Sequence, residues 1–262
     1  MPITTPLMNV MTAAARKAAR VLTRDFGEVE HLQTSRKGPA DFVTQADLKS
    51  ERILREELSR TRPHYGFVME EGGVIEGPDK THRWFIDPLD GTTNYLHGVP
   101  HFAISIGLER EGQLVAGLVF NPIRDEMFTA EKGQGAWLND RRLRVSSRRE
   151  LGTALIATGI PYMGRPGHEE FLGELPKVMS EVAGVRRFGA TALDLAFVAA
   201  GRFDAFWERG LSSWDVAAGA VILREAGGQV TDLDGGDNFL ESGHILASNT
   251  ALHASMMKCL RG

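Results

Sequence analysis

The apolar positions in the first 60 residues follow a helical period. Between residues 7 and 24, apolar side chains recur at intervals of three and four positions, which predicts an amphipathic helix. A second helical pattern covers residues 46 to 58, and Asp47 lies in its first turn, where a carboxylate interacts favourably with the helix dipole. The polar stretch from residue 33 to residue 42 contains the breaker Gly38-Pro39 and is predicted to be a loop.

After residue 80 the pattern changes to that of β-strands alternating with helices. Short β-rich runs at 84–86, 102–108 and 114–120 are separated by glycine-containing turns and predict an antiparallel sheet. Further strands are predicted at 154–160, 203–207 and 244–248, and helices at 168–182, 190–201, 215–226 and the C-terminus. This order predicts layered helices and sheets in a single domain over residues 1–262, with two lobes that divide near residue 150.

The composition narrows the class of protein. The 262-residue chain is 42% hydrophobic and 24% charged, which excludes a disordered chain, a collagen-like chain and a coiled coil. Its longest apolar runs fall short of the roughly 18 residues that a membrane span requires. Arg16 and Lys17 interrupt the only alanine-rich stretch near the N-terminus, so no signal peptide is expected. Because the single cysteine, Cys259, excludes an internal disulfide, a cytoplasmic location without membrane contact is expected.

The charge balance is mildly acidic. The chain carries 30 Lys and Arg against 34 Asp and Glu, a net charge of −4, so the whole molecule has no electrostatic attraction to nucleic acid. Five arginines nevertheless crowd the segment around Val145: Arg141, Arg142, Arg144, Arg148 and Arg149. A solvated turn between strands is the favoured interpretation of this cluster, and a docking patch for RNA or protein is the alternative.

The acidic residues carry the strongest chemical signal. The apolar run Trp84-Phe85-Ile86 leads directly into Asp87-Pro88-Leu89-Asp90, and Pro88 is predicted to end the strand in a turn. That turn would bring both aspartates to one side, with the Leu89 carbonyl between them. The following Gly91-Thr92-Thr93 offers consecutive backbone N–H groups to an anion. Either aspartate alone would be read as a turn residue or helix cap, but the pair beside an anion-binding turn indicates a site.

Two further acidic positions extend this pattern. Glu70-Glu71 follows the apolar run ending at Met69, and Asp215 precedes an apolar helix, where it is either a plain cap or a ligand. Oxygen ligands without histidine or cysteine favour Mg²⁺ first and Mn²⁺ second. Paired ions beside N–H donors for an anion indicate phosphoryl hydrolysis.

These residues carry a resemblance that covers essentially the whole chain. Four segments are similar in sequence, order and spacing to the signatures of the inositol monophosphatase family, which includes bacterial inositol-1-monophosphatases and extragenic suppressor proteins: Asp41-Phe-Val-Thr-Gln-Ala-Asp47, Glu70-Glu71, Asp87-Pro-Leu-Asp-Gly-Thr-Thr93 and Trp214-Asp-Val-Ala-Ala-Gly219. The sequence departs from the family at two positions. Met69 stands where a glycine is usual, and Gly72 stands where a serine is common.

The resemblance implies an α+β fold of αβαβα layers, a homodimer, and hydrolysis of small phosphate monoesters with two or three Mg²⁺ ions, for which Mn²⁺ substitutes. It assigns Glu70, Asp87 and the Leu89 carbonyl to a first ion, and Asp87, Asp90 and Asp215 to a second, with Glu70 also holding a third through water. It further implies that Thr92, hydrogen-bonded to Asp47, activates the attacking water together with Glu70. The N–H groups of Gly91 and Thr92 would bind phosphate.

The resemblance also implies contacts to the substrate alcohol, from Gly189, Ala190, Thr191 and Glu208. For Glu208 the alternative is a carboxylate at a strand end, paired with Arg209 or another arginine. Lys37 matches a mobile basic residue near the ions and is equally well read as a solvated loop lysine. Glu71 is a further candidate beside Glu70.

The implied substrate is myo-inositol 1-phosphate or a related small phosphorylated polyol or sugar. The alternatives keep the same chemistry and change the substrate to fructose 1,6-bisphosphate, histidinol phosphate or 3′-phosphoadenosine 5′-phosphate. A different class of function is also open, since some bacterial members of the family bind the transcription machinery. The net charge of the chain lends that reading no support.

Overall fold

The computed structural model describes residues 5–26, 34–38 and 41–261, and in 34–38 and 41–43 it describes the backbone alone. The helices in these ranges are α1 (Pro6–Asp25), α2 (Gln45–Thr61), α3 (Thr92–Leu96), α4 (His168–Glu181), α5 (Thr191–Ala199), α6 (Ser213–Glu225), α7 (Phe239–Ser242) and α8 (His253–Arg261). The strands are β1 (Thr34–Gly38), β2 (Asp41–Thr44), β3 (Gly66–Met69), β4 (Gly73–Ile75), β5 (His82–Asp90), β6 (Ala103–Arg110), β7 (Gln113–Asn121), β8 (Glu126–Glu131), β9 (Gly135–Leu138), β10 (Arg141–Arg142), β11 (Leu155–Thr158), β12 (Gly184–Arg186), β13 (Ala205–Glu208), β14 (Gly228–Thr231) and β15 (Ile245–Asn249).

The strands form two large sheets and one hairpin. The eight-stranded sheet has the order β10-β9-β8-β7-β6-β5-β3-β4, and the five-stranded sheet has the order β12-β11-β13-β15-β14. In the larger sheet only β3 and β5 run parallel, and β5, β6 and β7 form the predicted antiparallel meander. The parallel pair matters for the site, because it brings the carboxyl ends of β3 and β5 to the same edge.

The layers follow the order αβαβα. Helices α1 and α2 cover one face of the eight-stranded sheet, α5 and α6 fill the space between the two sheets, and α4 and α8 cover the outer face of the smaller sheet. At Gly117 on β7 an added Cβ would come within 2.3 Å of the Ala218 carbonyl oxygen, so glycine permits α6 to lie directly on the sheet. The predicted α+β sandwich is confirmed.

One apolar core cluster joins the two halves of the chain. It includes Val119 and Phe128 from the larger sheet, Leu195 and Val216 from the central helices, and Ala247 from the smaller sheet. Along the chain, all strands of the eight-stranded sheet precede residue 150 and all strands of the five-stranded sheet follow it. We propose on this basis that residues 1–262 form a single domain whose two lobes meet near residue 150.

The structure corrects two local predictions. The stretch from residue 33 to residue 42 was predicted to be a loop, but its described residues belong to β1 and β2, which pair antiparallel. Pro88 was predicted to end its strand, but β5 continues through it to Asp90, because the sheet accommodates the proline in an irregularity between Asp87 and Asp90. A missing N–H is tolerated at such a bulge, where a ladder hydrogen bond is already absent.

The arginine cluster begins in the edge strand β10 of the eight-stranded sheet and continues into the segment that leads to the five-stranded sheet. All five of its arginines are exposed, two of them in β10 and the rest in the irregular stretch that follows. The Arg148 guanidinium lies 3.4 Å from the Asp204 carboxylate, which fixes that end of the stretch. Exposure of this kind fits the solvated connection favoured from the sequence. In the described ranges, no helix has the length and apolar character needed to cross a lipid bilayer.

Candidate active site

Three segments bring carboxylates together at one edge of the eight-stranded sheet. The parallel register pairs Met69 with Ile86, and the Glu70 N–H donates to the Ile86 carbonyl at 3.2 Å, so Glu70 lies beside Asp87. Across the sheet, Asp87 pairs with Ser105, the hydroxyl of which donates to the Trp214 carbonyl at 3.3 Å. That bond holds the start of α6, and with it Asp215, next to the same edge.

The irregularity in β5 sets the directions of its two aspartates. Along a regular strand, residues three positions apart point to opposite faces of the sheet. Here Asp87 pairs with Ser105 and Asp90 pairs with Ala103, so three steps on β5 oppose two steps on β6. This one-residue bulge places Asp87 and Asp90 on the same face. The sequence predicted that result correctly but assigned it to a turn.

Backbone N–H groups hold each aspartate in place. The Asp87 carboxylate accepts from the Leu89 N–H at 2.9 Å. The Asp90 carboxylate accepts from two N–H groups at the start of α5, those of Thr191 at 3.1 Å and Ala192 at 2.8 Å. Asp215 forms a capping box with Ser212, the N–H of which donates to its carboxylate at 2.8 Å. Asp215 is therefore not the N-cap that the sequence offered as an alternative: it is the third residue of α6, where it completes the capping box and also belongs to the cluster.

The cluster concentrates negative charge in a buried place. Burial raises the pKa of Asp87 well above its usual range, and repulsion by Glu70, Asp90 and Asp215 adds to the increase. Burial likewise raises the pKa of Asp90 to about 7, with repulsion from Glu208 and Glu70. Asp215 has its pKa raised to about 7 by burial and by the Asp90 charge. Carboxylates that oppose ionisation in this way are tenable as anions only when cations neutralise them.

The donor set fits a hard divalent ion. Within the described ranges, no three acidic, histidine or cysteine side chains are arranged as a formed metal site. The fit therefore rests on donor chemistry and on mutual repulsion: the groups at this edge are carboxylates and a backbone carbonyl, the oxygen ligands that Mg²⁺ takes. The charges that raise the pKa of Asp87 come from the other carboxylates of this predicted ligand set.

Thr92 and Asp47 form a hydrogen-bonded pair beside the cluster. The Thr92 hydroxyl lies 3.2 Å from the Asp47 carboxylate and 3.0 Å from the Leu89 carbonyl oxygen, and it donates to either acceptor. The other Asp47 oxygen accepts from the Thr44 N–H at 2.8 Å and from the Thr44 hydroxyl. Burial raises the pKa of Asp47 to about 6, which places its titration close to neutral pH. An acid with that pKa is suited to accept a proton.

Gly91 starts α3 in a left-handed conformation. Its φ of 93° is accessible to glycine without strain. An added Cβ would also lie 3.0 Å from the His101 carbonyl oxygen and 3.3 Å from the Gly189 carbonyl oxygen. No side chain caps α3, so the N–H groups that open the helix have no side-chain acceptor and are available to the predicted phosphate beside Asp90 and Thr92.

The residues predicted to contact the substrate alcohol lie around the start of α5 and at the end of β13, next to Asp90. The Asn94 side chain donates to the Phe188 carbonyl at 2.8 Å, which holds the segment before Gly189 against α3. Ala190 precedes α5 as its N-cap residue. The Thr191 hydroxyl donates to the Glu208 carboxylate at 3.0 Å, so these two predicted contacts are joined.

Glu208 occupies a tight position at the end of β13. Burial raises its pKa to about 7, with a contribution from the Asp215 charge. A Cβ added to Gly159 would come within 1.8 Å of a Glu208 carboxylate oxygen, so only glycine leaves room for this side chain. The alternative of a Glu208–Arg209 pair is wrong, because the Arg209 guanidinium instead donates to Glu174, its Nε at 2.9 Å.

Lys37 and Glu71 are the two remaining candidates from the sequence. Lys37 lies in β1, and its side chain is outside the part of the chain that the structure describes. Glu71 contributes a negative charge that adds to the raised pKa of Asp47. Its N–H donates to the Glu51 carboxylate at 2.8 Å.

Four residues near the site were missed from the sequence: Ser50, Glu51, Gly159 and Asp194. Ser50 and Glu51 share a helix face with Asp47, a spacing that is visible once α2 is predicted. Asp194 is buried on α5, and burial together with the charges of Glu208 and Asp90 raises its pKa well above its usual range. An acid inside a predicted helix gives no sign of such burial.

Comparisons with known proteins agree with this geometry. The inositol monophosphatase family pattern matches residues 4–261. The chain is 57% identical to a Mesorhizobium japonicum protein named inositol-1-monophosphatase, over 97% of this chain and 96% of that protein. It is 44% identical to a Pseudomonas aeruginosa protein named Nus factor SuhB, over 98% and 96%.

A solved structure extends the likeness to three dimensions. The crystal structure of extragenic suppressor protein suhB from Bartonella henselae superimposes with a TM-score of 0.95, at 56% identity, covering 98% of this chain and 99% of that one. A match of this extent shows that the two chains share the same fold. The chain belongs to the inositol monophosphatase family.

Proposed function

We propose that this chain is a Mg²⁺-dependent phosphatase that hydrolyses myo-inositol 1-phosphate, or a related small phosphate monoester, to the alcohol and inorganic phosphate. The observation that carries the proposal is the bulge in β5, which directs Asp87 and Asp90 to one face beside the Thr92–Asp47 pair. The carboxylates that would bind metal ions, a proton acceptor and the uncapped N–H groups at the start of α3 lie together there, as phosphoryl transfer to water requires.

In this proposal Glu70, Asp87 and the Leu89 carbonyl hold one ion, and Asp87, Asp90 and Asp215 hold another. A third ion, held by Glu70 through water, completes the set, and Mn²⁺ substitutes for Mg²⁺. When bound, these ions lower the pKa of water and stabilise negative charge on the phosphate and the leaving alkoxide. Repulsion within the cluster favours binding, since each cation relieves the charges that raise the pKa of Asp87.

The protein's own groups then orient the nucleophile. The Thr92 hydroxyl would accept a hydrogen bond from the attacking water while it donates to Asp47, and Glu70 would help to orient that water. As the water oxygen bonds to phosphorus, the bond between phosphorus and the ester oxygen breaks. The water proton passes through the Thr92 hydroxyl to the Asp47 carboxylate, which has a pKa of about 6, and the released alkoxide takes up a proton from solvent. The N–H groups of Gly91 and Thr92 bind the phosphate oxygens and keep phosphorus in line with the water.

The alcohol of the substrate meets Glu208, Thr191 and the backbone of Gly189 and Ala190. A carboxylate accepts hydrogen bonds from neutral hydroxyls and repels a second phosphate, so Glu208 favours a polyol or sugar monophosphate over a bisphosphate. The Thr191–Glu208 hydrogen bond holds the carboxylate in position for that contact. Fructose 1,6-bisphosphate, histidinol phosphate and 3′-phosphoadenosine 5′-phosphate are the competing substrates.

A phosphate-release screen with Mg²⁺ tests the proposal. Inositol phosphates, sugar bisphosphates, histidinol phosphate and nucleotide phosphates are compared at equal concentration, with chelator and Mn²⁺ as additional conditions. We expect the largest kcat/KM for inositol 1-phosphate, loss of activity in chelator and partial activity with Mn²⁺. A preference for a bisphosphate would show that inositol 1-phosphate is not the preferred substrate. Activity that survives chelation would overturn the proposed metal dependence.

We also propose that the chain acts as a cytoplasmic homodimer. Two large apolar side chains are exposed beside the site, Val99 at 44% and Phe188 at 38%, and Asn94 joins their segments through its carbonyl and its side chain. A second copy would cover them. Sedimentation velocity should give twice the monomer mass, and Phe188→Glu should shift the equilibrium towards monomer. A monomeric wild type at micromolar concentration would contradict the proposal.

A role as a partner of the transcription complex is the second candidate function. It is supported by the row of exposed arginines from Arg141 to Arg149, far from the carboxylate cluster in sequence. A pull-down of transcription proteins with wild type, Asp90→Asn, and a variant with Arg144 and Arg149 changed to Ser separates the two functions. Binding that persists in Asp90→Asn and disappears in the arginine variant would establish the second role.

A further inference from the structure

One buried face of α2 contacts two of the segments that form the carboxylate edge, the turn after β3 and the β5 bulge with the residues that follow it. Asp47, Ser50 and Glu51 lie three and four positions apart, which places them on the same side of the helix. All three are buried: Asp47 and Ser50 are 0% exposed, and Glu51 is 7% exposed. Polar side chains are rarely buried to this extent unless they are hydrogen-bonded, so their partners are informative.

The three side chains have three different partners. Asp47 accepts from the Thr92 hydroxyl at 3.2 Å, on the segment after the bulge. The Ser50 hydroxyl donates to the Pro88 carbonyl at 3.0 Å, inside the bulge. The Glu51 carboxylate accepts from the Glu71 N–H at 2.8 Å, in the turn after β3. A single rigid helix therefore fixes the separation between the turn that carries Glu70 and the bulge that carries Asp87.

The space around Glu51 is fully used. A Cβ added to Gly72 would lie 2.8 Å from a Glu51 carboxylate oxygen and 2.7 Å from the Met69 terminal methyl group. Met69 is 1% exposed, so it has little room to move away. The two departures from the family pattern are thus neighbours in space: the long Met69 side chain occupies volume that a side chain at position 72 would need.

We infer that Ser50 and Glu51 are positioning residues for the metal ligands. Glu51 holds the Glu70–Glu71 turn, Ser50 holds the β5 bulge, and α2 keeps the two at the distance that a shared ion requires. Neither side chain coordinates an ion in this scheme. The inference rests on the proposed metal-dependent function. Outer hydrogen bonds of this kind typically change metal affinity or activity by about 10- to 100-fold when they are removed.

Five variants, among them Ser50→Ala, and two readouts test the inference. Glu51→Ala removes the acceptor, Glu51→Gln keeps one, and Gly72→Ala displaces the carboxylate without altering Glu51. Glu56→Ala is the matched control, because Glu56 lies on the exposed face of the same helix. The first readout is the Mg²⁺ concentration that gives half of the maximal rise in Tm, and the second is the Mg²⁺ concentration for half-maximal activity, measured beside the KM for substrate.

We expect Glu51→Ala and Gly72→Ala to need about tenfold more Mg²⁺ in both readouts, with KM changed less than twofold. Glu51→Gln should restore most of the wild-type Mg²⁺ dependence, and Glu56→Ala should equal wild type. Ser50→Ala should shift in the same direction by a smaller factor. If Glu51→Ala does not fold, Gly72→Ala and Glu51→Gln decide the matter.

The outcomes separate this inference from the proposed function. A wild-type protein whose Tm does not respond to Mg²⁺ would overturn the metal site itself. A responsive wild type, with Glu51→Ala and Gly72→Ala indistinguishable from Glu56→Ala, would overturn the positioning role alone. A loss of Tm without any change in Mg²⁺ dependence would show that Glu51 serves only the stability of the fold.

Discussion

The stability of the metal-free protein should fall as pH rises through neutrality. Asp90, Glu208 and Asp215 each have a pKa of about 7 in the folded protein because they are buried together. In the unfolded chain the same groups titrate near about pH 4. The folded state therefore binds more protons than the unfolded state near pH 7, and its free energy of unfolding must decrease as those protons are lost.

The magnitude follows from the pKa values. Between about pH 6.5 and about pH 8, a group that titrates near 7 when folded and near 4 when unfolded loses about 0.8 kcal/mol of stability, so three groups lose about 2 kcal/mol. Burial lowers the pKa of His101 and His253 to about 4, and they act in the opposite direction. Over the same pH interval these histidines lose their protons in the unfolded chain. Together they therefore raise the free energy of unfolding by somewhat less than about 1 kcal/mol.

The net loss of about 1.5 kcal/mol corresponds to a fall in Tm of about 4 °C for a chain of this size. Differential scanning calorimetry in chelator, at several pH values across that interval, measures it directly. Saturating Mg²⁺ should raise Tm most at the alkaline end and abolish the fall, because the ions favour the ionised carboxylates.

A variant of one cluster member makes the test specific. In Asp215→Asn the side-chain carbonyl can still accept the Ser212 N–H, while one buried charge is removed. We expect a higher Tm than wild type at the alkaline end in chelator, a pH dependence reduced by about half, and a weaker response to Mg²⁺. Glu56→Gln, on the exposed face of α2, serves as the control. A Tm in chelator that is constant or rises with pH in the wild type would refute the reasoning.

Three further predictions address catalysis. Asp90→Asn removes the charge of a proposed metal ligand, so phosphate release should fall at least about 100-fold. Tm should also fall, because the amide group would face two backbone N–H donors of α5. Normal turnover would contradict the ligand role. Glu208→Gln and Gly159→Ala should both lower kcat/KM for inositol 1-phosphate by about 10- to 100-fold and spare p-nitrophenyl phosphate; equal losses on both substrates would remove Glu208 from the site. Thr92→Val, which cannot relay a proton to Asp47, should reduce kcat by about 100-fold at unchanged KM, measured by steady-state phosphate release.

Local patterns in the sequence predicted most of the elements and the carboxylate cluster. The helical period from residue 7 to residue 24 matches α1 (Pro6–Asp25), and the run at 114–120 lies within β7. These elements are decided by which face is apolar, which the sequence displays directly. The carboxylates Glu70, Asp87, Asp90 and Asp215 were predicted from motifs beside apolar runs, whereas the roles of Asp47, Thr191 and Glu208 came from the family resemblance.

The features that were missed depend on partners distant in sequence. Pro88 continues its strand because β6 tolerates an extra residue opposite it, and nothing near Pro88 indicates that partner. Gly159 faces Glu208 because β11 runs parallel to β13 and pairs Thr158 with Trp207. The positions of Ser50 and Glu51 became meaningful only when α2 lay against the β5 bulge. Such contacts are properties of the register between elements.

The two hydrogen bonds from α5 to Asp90 connect the central helix layer to the eight-stranded sheet. Asp90 belongs to that sheet, whereas Thr191 and Ala192 begin α5, which also packs on strands of the five-stranded sheet. An ion held by this carboxylate would therefore be linked through α5 to both large sheets, so the proposed metal binding would also stabilise the contact between them. The backbone amides at the start of α5 should therefore report metal occupancy, because their hydrogen exchange with solvent should slow when the ion is bound.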